Sequence, residues 1–276
     1  MATGEKIALV TGSTDGLGRR VAERLAGSGM TVLVHGRDRK RGAETTKAIL
    51  DAGGKAVFYM ADLSVLSEVC RLAAEIRHEH PGLDLLVNNA GIGAAGVYIG
   101  RCESPDGFEL RFAVNYLASF LLTRLLLPAM ESSGDARIIN VASAGQQSIN
   151  FSDVMLKKHY SGVRAYCQSK LAQILFTFDL ARELSGTGIT VNALHPATYM
   201  DTGMVYGDGI IPVTSVEEGA DAVLNLALSS ALNGQSGQYF DGLRTSRALA
   251  QAYDADARQK LRALSFTLTG LTDPVS

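Results

Sequence analysis

A tyrosine and a lysine lie four residues apart, at Tyr166 and Lys170. On a helix this spacing places both side chains on one face. An ammonium group beside a phenol favours the phenolate and lowers a phenol pKa that is ordinarily about 10. A tyrosine in this setting can donate or accept a proton, which a lone surface tyrosine cannot. The same pair also occurs by chance as two solvated side chains, so its meaning depends on the motifs around it.

Three glycines stand between the first apolar run of the chain and a predicted helix. Glycine lets the backbone approach a pyrophosphate closely, and the amides and dipole at a helix start favour its negative charge. A strand, a glycine turn and a helix in this order are the context that a dinucleotide-binding motif requires. The predicted cofactor-binding residues of this turn are Gly12, Ser13, Asp15, Gly16, Leu17 and Gly18.

The elements that would position these residues alternate along the chain as short β-branched runs and longer helical stretches. This alternation predicts a parallel sheet with helices on both faces. Strands are predicted at Lys6–Thr11, Thr31–His35, Lys55–Met60, Leu83–Val87, Arg137–Val141, Gly188–Leu194 and Gln238–Phe240. Helices are predicted at Leu17–Ser28, Arg39–Ala52, Ser64–Glu79, Pro105–Met130, Val163–Leu184, Val216–Ser230 and Ser246–Leu264. We therefore expect a single-domain, Rossmann-type, doubly wound α/β fold with seven parallel strands, a core over 6–241 and a C-terminal helical extension over 242–276.

Three of the predicted connections are unusually long, namely Gly91–Ser104, Ala144–Gly162 and Ala197–Ser215. All three leave the carboxyl ends of predicted strands, which form the edge where open α/β sheets bind their ligands. Surface elaborations could have the same length. Because the three segments share one edge, we interpret them as walls and lids of a substrate site.

The glycine spacing GxxxGxG resembles that of the short-chain dehydrogenase/reductase family. Further matches follow in the family's order between residues 6 and 241, namely Asp62, Asn88, Asn89, Ala90, Gly91, Asn115, Ser143, Tyr166 and Lys170. Twenty-three positions separate Ser143 from Tyr166, a longer gap than compact members of the family have. That length, the sequence around Tyr166 and the position of Arg37 resemble the retinol-dehydrogenase-like branch.

The resemblance implies an oxidoreductase that moves a hydride between a nicotinamide cofactor and a ketone, aldehyde or alcohol. It implies that Tyr166 exchanges a proton with the substrate oxygen and that Ser143 hydrogen-bonds the same oxygen. Lys170 would also hold the nicotinamide-side ribose, and Asn115 would hold a water that links Lys170 to solvent. Negative charge develops on one oxygen in such a reaction, so two donors must already point at it.

The resemblance also implies which residues surround the adenosine half of the cofactor. Asp62 and Leu63 would hold the adenine, although Asp62 equally suits a helix cap. Asn89 and Ala90 would line the adenosine-side ribose after the fourth predicted strand, and Gly91 would also belong to the cofactor site.

On the nicotinamide side, the resemblance points to the segment after the sixth predicted strand, beginning at Pro196. The family usually has glycine where this chain has Ala197, and the following hydroxyl is displaced by about one position. Thr198 is our candidate for the contact with the nicotinamide carboxamide, and Thr202 is the alternative. His195 precedes the proline, and a histidine at a strand end is ordinarily positional rather than catalytic.

The choice between NADP(H) and NAD(H) depends on the end of the second predicted strand. An acid there would bond the ribose hydroxyls of NAD, whereas an arginine would pair with the 2′-phosphate of NADP. The chain has Gly36 at the position of the acid, followed by Arg37, with Arg41 further on. Asp15 and Asp38 are acidic neighbours that oppose a phosphate. We predict NADP(H), with NAD(H) the second choice, because a bidentate arginine is the more specific device.

Composition excludes several other kinds of protein. With 26 basic and 28 acidic side chains, the net charge of −2 offers no field that attracts nucleic acid or anionic lipid. The chain has three cysteines and no CxxC, which predicts neither a disulfide framework nor a metal site and fits a reducing compartment. The longest leucine-rich stretch, 116–127, contains Thr123 and Arg124 and is followed by Pro128. We therefore expect a soluble, cytoplasmic protein with no membrane span and no metal.

The same leucine-rich stretch is apolar on nearly every face, so one side needs a cover besides the sheet. Phe176, on the neighbouring predicted helix, lies outside its own core stripe. Members of the family commonly pair these two helices about a two-fold axis. We therefore expect a homodimer or homotetramer, which is also how such an isologous contact closes.

Two other functions share parts of this pattern. A regulator that senses nucleotides on the same fold has no need of Tyr166 and Lys170. A sugar-nucleotide epimerase or dehydratase shares the Tyr–Lys spacing but usually has a TGxxGxxG turn and a longer C-terminal domain. We therefore predict an NADPH-dependent ketoreductase or carbonyl reductase, whose substrate the sequence does not identify.

Overall fold

The computed structural model describes residues 5–95 and 100–274 of the chain, so the predicted loop Gly91–Ser104 lies partly outside the described residues. Within them, eight strands form one sheet in the order β3-β2-β1-β4-β5-β6-β7-β8. The strands are β1 Ile7–Val10, β2 Thr31–Gly36, β3 Lys55–Met60, β4 Leu85–Asn88, β5 Arg137–Val141, β6 Thr190–His195, β7 Tyr239–Asp241 and β8 Arg244–Ser246. The first seven are parallel, and the predicted α/β Rossmann-type fold is confirmed.

Helices cover both faces of this sheet, as continuous apolar strands require. Their bounds are α1 Gly16–Gly27, α2 Arg39–Asp51, α3 Leu66–Glu79, α4 Ala118–Ser133, α5 Gly162–Glu183, α6 Gly203–Gly207, α7 Val216–Leu228 and α8 Ala255–Thr269. One hydrophobic cluster joins α1, α2 and α7 to one face, and a second joins α3, α4, α5 and α8 to the other. The chain crosses between the two halves of the sheet at β1 and β4, and the crevice there is where such sheets bind ligands.

The prediction of seven strands, all parallel, is wrong at the C-terminal edge. β8 pairs with β7 in antiparallel fashion, and Gly242 makes the turn between them with a φ of +57°. All three residues of β8 are exposed, so the strand has no apolar alternation that a sequence could show. The last helix also begins later than predicted, at Ala255, because the Asp254 side chain caps it by accepting from the amides of residues 256 and 257.

The predicted helix Pro105–Met130 is also different in the structure. It begins at Leu110, contains a six-residue π-helix at Phe112–Leu117, and continues as α4. A π-helix places one extra residue in the turn, and such turns occur frequently at functional sites. Asn115 lies inside it.

The C-terminal helix α8 covers the outer face of α4 and α5. Phe266 packs edge-on against Phe120, with ring centroids 5.3 Å apart. Arg262 is ion-paired with Glu183, whose carboxylate also binds Arg124. The chain therefore covers this apolar face itself.

This packing removes the reason for the expected dimer contact. Phe176, which the sequence places outside the core stripe, is only 3% exposed and lies under α8. A homo-oligomer stays a prediction, and it would have to form through another surface.

One helix of the described residues, Phe112–Ser133, is long and apolar enough to cross a membrane by length and composition. Of its most apolar stretch, 72% is buried inside the protein. It lies between the sheet and its neighbouring helices. A core helix of a globular protein has the same length and apolar composition.

Candidate active site

The four predicted catalytic residues come from three separate parts of the chain at the carboxyl edge of the sheet. Ser143 follows β5, Asn115 lies in the π-helix, and Tyr166 and Lys170 lie on α5. A methyl group built on Gly91, just after β4, would stand 3.2 Å from the Asn115 oxygen and 3.5 Å from the Lys170 nitrogen. The structure therefore brings these predicted residues to one place beside the central strands.

Tyr166 and Ser143 are neighbours, because a Cβ on Gly145 would stand 3.4 Å from the Ser143 oxygen and 3.8 Å from the Tyr166 ring. Burial raises the pKa of the Tyr166 phenol above its usual value, and the nearby Ser143 hydroxyl opposes that rise only in part. The Ser143 oxygen also accepts a hydrogen bond from the amide of Gly145, at 3.0 Å. Two hydroxyls therefore face the same small space, and the tyrosine there is a protonated phenol at neutral pH.

Lys170 is buried, and its ammonium lies 5.9 Å from the centre of the Tyr166 ring. It donates to the Val141 carbonyl at 2.8 Å and to the Gln173 side chain at 3.0 Å. Burial lowers the pKa of Lys170 to about 7. The side chain is thus held in place by two neutral acceptors, and its charge is sensitive to any ion that binds nearby.

Both polar atoms of the Asn115 side chain are hydrogen-bonded. Its oxygen accepts from the Ile92 amide at 2.8 Å, and its nitrogen donates to the Ile92 carbonyl and to the Ser169 hydroxyl. These bonds connect the loop after β4 to α5. Asn115 therefore fixes the loop and the part of α5 that lie next to Lys170.

The glycine turn forms the predicted cradle. A Cβ on Gly12 would come within 2.9 Å of Ala90, and Gly12 itself has a φ of +65°. A Cβ on Gly18 would come within 2.3 Å of the Gly12 carbonyl. Only glycine fits at these two positions, and the turn leads directly into α1, whose start faces the crevice. The residues present therefore fit a dinucleotide.

Two predicted residues of the turn point away from the cradle. Ser13 is fully buried, and its hydroxyl and amide both bond to the backbone of His35. Leu17 is buried in the cluster under α1 and α7. Ser13 therefore braces the turn against β2, its contact with the cofactor stays a prediction, and Leu17 has only its backbone to offer there.

Asn89 has a bracing role of the same kind. Its side-chain nitrogen donates to the carbonyls of Thr11 and Gly12, at 2.9 Å and 3.2 Å. The Thr11 hydroxyl in turn accepts from the amides of Asn89 and Ala90. The predicted ribose contact of Asn89 therefore does not use its amide, which fixes the glycine turn instead.

The end of β2 has no room for an acid at position 36. A Cβ on Gly36 would lie 2.5 Å from the Thr14 side chain. The exposed Arg37 follows, and Arg41 is ion-paired with Asp15 at 3.0 Å. Basic groups therefore stand where the adenosine ribose of a bound dinucleotide would lie.

Asp62 and Leu63 follow β3. The Asp62 carboxylate accepts from the Ser64 amide at 2.9 Å and closes a turn before α3, which begins only at Leu66. Leu63 is buried in the core, so its backbone, not its side chain, is available to an adenine.

The two candidate threonines after β6 have different surroundings. Thr198 is hydrogen-bonded to the His195 ring at 3.0 Å, so this bond fixes Thr198 at the end of β6. Thr202 caps α6, and its methyl group lies 3.2 Å from where a Cβ of Gly16 would be. The structure therefore places Thr202, and not Thr198, against the glycine turn.

Two residues important to the site were not predicted. Arg111 is fully buried and binds the loop after β4 together with Tyr160 of the segment 144–162. Asp208, after α6, binds the same loop from outside. Neither belongs to a motif, and their partners are distant in sequence, so no local signal marks them.

Among the described residues, no three His, Cys, Asp or Glu side chains lie close enough to hold a metal ion. The chemistry that this geometry offers is proton transfer at a hydroxyl pair, next to a cradle for a dinucleotide.

Comparisons with known proteins agree with this geometry. A family model described as short chain dehydrogenase matches residues 6–208. The chain belongs to the short-chain dehydrogenase family. Retinol dehydrogenase 13 of Homo sapiens is 35% identical over 98% of this chain and 86% of its own, which places the chain in the retinol-dehydrogenase-like branch.

Solved structures of this short-chain dehydrogenase fold are similar over most of the chain. An uncharacterised protein from Mycobacterium paratuberculosis has a TM-score of 0.80 and 31% identity, covering 98% of this chain and 95% of its own. A landomycin C-6 ketoreductase with bound NADP and rabelomycin has a TM-score of 0.68 and 30% identity, covering 86% and 94%.

Proposed function

We propose that this short-chain dehydrogenase reduces a ketone or aldehyde to an alcohol with NADPH, or runs the reverse reaction, with Tyr166 exchanging the proton. The observation that carries the proposal is the placing of Tyr166 beside Ser143, with the Lys170 ammonium 5.9 Å from the centre of the tyrosine ring. A nucleotide-sensing regulator would gain nothing from a buried lysine in that position.

The reaction follows from these positions. The reduced nicotinamide supplies the hydride when it is bound. A carbonyl oxygen between the hydroxyls of Tyr166 and Ser143 receives two hydrogen bonds as negative charge develops on it. The O–H bond of Tyr166 then breaks, and its proton completes the alcohol. The positive charge of Lys170 stabilises the phenolate that remains until it regains a proton from solvent.

The raised pKa of Tyr166 suits the reduction of a carbonyl to an alcohol. Because burial keeps the phenol protonated, a proton is available for the substrate oxygen at neutral pH. In the reverse direction, the positive charges of Lys170 and of an oxidised nicotinamide would both favour the phenolate.

The preference for NADPH rests on the end of β2. The Thr14 side chain fills the space in which an acid at position 36 would bond the ribose hydroxyls. Arg37 and Arg41 offer the planar cations that bind a phosphate well. The landomycin ketoreductase, a structural relative, is described with NADP bound.

We propose an apolar substrate. The segment after β6, residues 197–215, closes the site from one side and is called the lid below. It holds five of the large hydrophobic side chains that are exposed in the structure, Tyr199, Met204, Tyr206, Ile211 and Val213. Among the relatives are proteins named retinol dehydrogenase, and retinol is an apolar alcohol.

Partners and location are also proposals. Free cysteines at 70, 102 and 167 fit a reducing compartment, so we propose that the protein works in the cytoplasm. We also propose a homodimer or homotetramer, whose interface does not include the face of α4 and α5 that α8 covers.

The experiment is a panel of ketones, aldehydes and their alcohols, assayed by absorbance of the reduced nicotinamide with NADPH and NADH in parallel. Turnover of an apolar carbonyl with NADPH, lost in Tyr166→Phe, supports the proposal. Turnover that survives in that variant assigns the proton to another group. Activity with NADH alone contradicts the cofactor preference.

A further inference from the structure

The first observation is an ion pair across the cofactor cradle. Arg41, in the first turn of α2, lies 3.0 Å from the Asp15 carboxylate, and the Asp38 carboxylate is 3.9 Å away. Asp15 belongs to the glycine turn, so the pair links that turn to α2. More than half of each of the three side chains is exposed, so each can change partner at small cost.

The second observation fixes where this pair lies. The Asp15 residue directly follows Thr14, whose side chain touches the Gly36 position at the end of β2. The ribose of a bound adenosine meets the end of the second strand in folds of this kind. Arg41 is therefore held at the edge of the space that a 2′-phosphate would enter.

The third observation concerns the other oxygen of the same carboxylate. It accepts from the Gly16 amide at 2.8 Å, at the start of α1. The helix start is the place where an anion is favoured, and here a side chain of the protein supplies that anion. Asp15 thus places a negative charge between the two groups that would attract the phosphates of the cofactor.

We propose that Asp15 competes with the 2′-phosphate for Arg41, and that this competition sets the cofactor preference. Without a nucleotide, Asp15 holds Arg41. A 2′-phosphate must draw Arg41 away from Asp15 and tolerate the carboxylate beside it. The chain thereby binds NADPH more weakly than its arginines alone would allow. This inference rests on the proposed function, because it assumes that the cradle binds a nicotinamide dinucleotide.

The test compares dissociation constants, measured without turnover by nicotinamide fluorescence and by calorimetry at low salt. Asp15→Asn removes the charge and keeps an oxygen that can accept from the Gly16 amide, so the start of α1 stays capped. We expect it to tighten NADPH binding about threefold to tenfold, from Coulomb energies at separations of about 6 Å in water. NADH, which lacks the 2′-phosphate, should change less than twofold.

A double-mutant cycle distinguishes competition from a general charge effect. Arg41→Gln alone should weaken NADPH binding about tenfold. In the Arg41→Gln background, Asp15→Asn should improve the NADPH affinity at least twofold less than it does in the wild type, because Arg41 no longer has to be released and only the repulsion between Asp15 and the phosphate remains. Asp51→Asn is the matched control, since Asp51 is an exposed acid of α2 that pairs with Lys47 at the far end of the helix.

Each outcome decides one question. If Asp15→Asn leaves the ratio of the NADPH and NADH constants unchanged, or Asp51→Asn shifts it equally, the inference is wrong while the proposed function stands. If the wild-type chain binds neither nucleotide, the proposed function itself fails. Thermal unfolding of each variant shows that a change in affinity is not a loss of folded protein.

Discussion

Arg111 and Asp208 bind the same stretch of backbone, Arg111 through its carbonyls and Asp208 through its amides. The Arg111 guanidinium donates to the carbonyls of Gly93 and Ala94, at 2.7 Å and 2.9 Å. The Asp208 carboxylate accepts from the amides of Ala94 and Ala95, at 2.9 Å and 2.8 Å. Arg111 directly precedes the π-helix, and Asp208 belongs to the lid. The loop after β4 therefore connects the lid to the helix turn that holds Asn115.

The first prediction concerns this connection. Asp208→Ala removes both hydrogen bonds of the lid to the loop, so the lid should close over a substrate less often. We expect KM for the carbonyl substrate to rise about threefold to tenfold with kcat within twofold, since two partly exposed charge-assisted bonds are lost. Asp201→Asn, an exposed acid of the same lid, should leave both constants unchanged. A fall in kcat alone would show that Asp208 acts on the chemistry instead.

The second prediction concerns Tyr166. Tyr166→Phe removes only the hydroxyl, so kcat should fall at least a hundredfold, the usual contribution of a positioned acid. The dissociation constant for NADPH should stay within twofold. Steady-state kinetics and a fluorescence titration measure the two quantities. A variant that keeps more than about a tenth of the wild-type kcat contradicts the assignment.

The third prediction uses the buried Lys170. Burial lowers its pKa from an unfolded value of about 10.5 to about 7, so the folded state disfavours the charge. The folded protein bears the full cost below pH 7, and the cost disappears as the pH rises toward 10.5. Lys170→Met should therefore unfold at higher denaturant than wild type at pH 7, by an amount on the order of 4 kcal/mol before the lost hydrogen bonds are subtracted.

The pH trend is the diagnostic part of that prediction. The difference between wild type and Lys170→Met should shrink steadily between pH 7 and pH 10, as followed by denaturant unfolding at each pH. Lys47→Met, at an exposed position, provides the comparison and should show no such trend. A constant difference over this range means that Lys170 titrates normally in the folded protein.

The fourth prediction concerns Arg37. Arg37→Asp replaces a cation at the end of β2 by an anion, so NADPH should bind about tenfold to a hundredfold more weakly while NADH changes little. The range corresponds to a charge-assisted hydrogen bond of about 1.5–3 kcal/mol. An unchanged NADPH constant, measured by calorimetry, means that Arg37 points away from the phosphate.

The fifth prediction concerns the contact between α8 and α4. Phe266→Ala should destabilise the protein by about 3 kcal/mol, since a buried aromatic ring is lost. Light scattering on wild type and variant tests association on the same samples. A wild-type molar mass near the 29.3 kDa of one chain, unaffected by dilution, excludes the predicted dimer or tetramer.

The sequence predicts those parts of the site that depend on local order. The glycine turn and the Tyr166–Lys170 spacing each lie within one strand–turn–helix or one helix, so their side chains have their positions as soon as the element forms. Contacts between distant polar residues are different. Asp208 and Ala94 are 114 positions apart, and nothing in the composition of either segment marks the pair.

In the fold, too, local features are predictable from the sequence and contacts between distant residues are not. Strands buried on both faces are continuous apolar runs, and the first seven are predicted in their order. β8 is exposed and is held by its turn, while α8 has ordinary amphipathic residues that could cover any apolar face. Which face it covers is decided by the match of Phe266 and Arg262 to α4 and α5, and that match exists only in three dimensions.

The order of the elements along the chain affects biosynthesis. A ribosome makes α8 after the whole sheet and after α4 and α5, the two helices that it covers. Until then Phe120 and Phe176 lack their cover, and Glu183 lacks its partner Arg262. The nascent protein therefore carries an aromatic surface that is covered only once α8 has been made, and until then this surface is available to a chaperone.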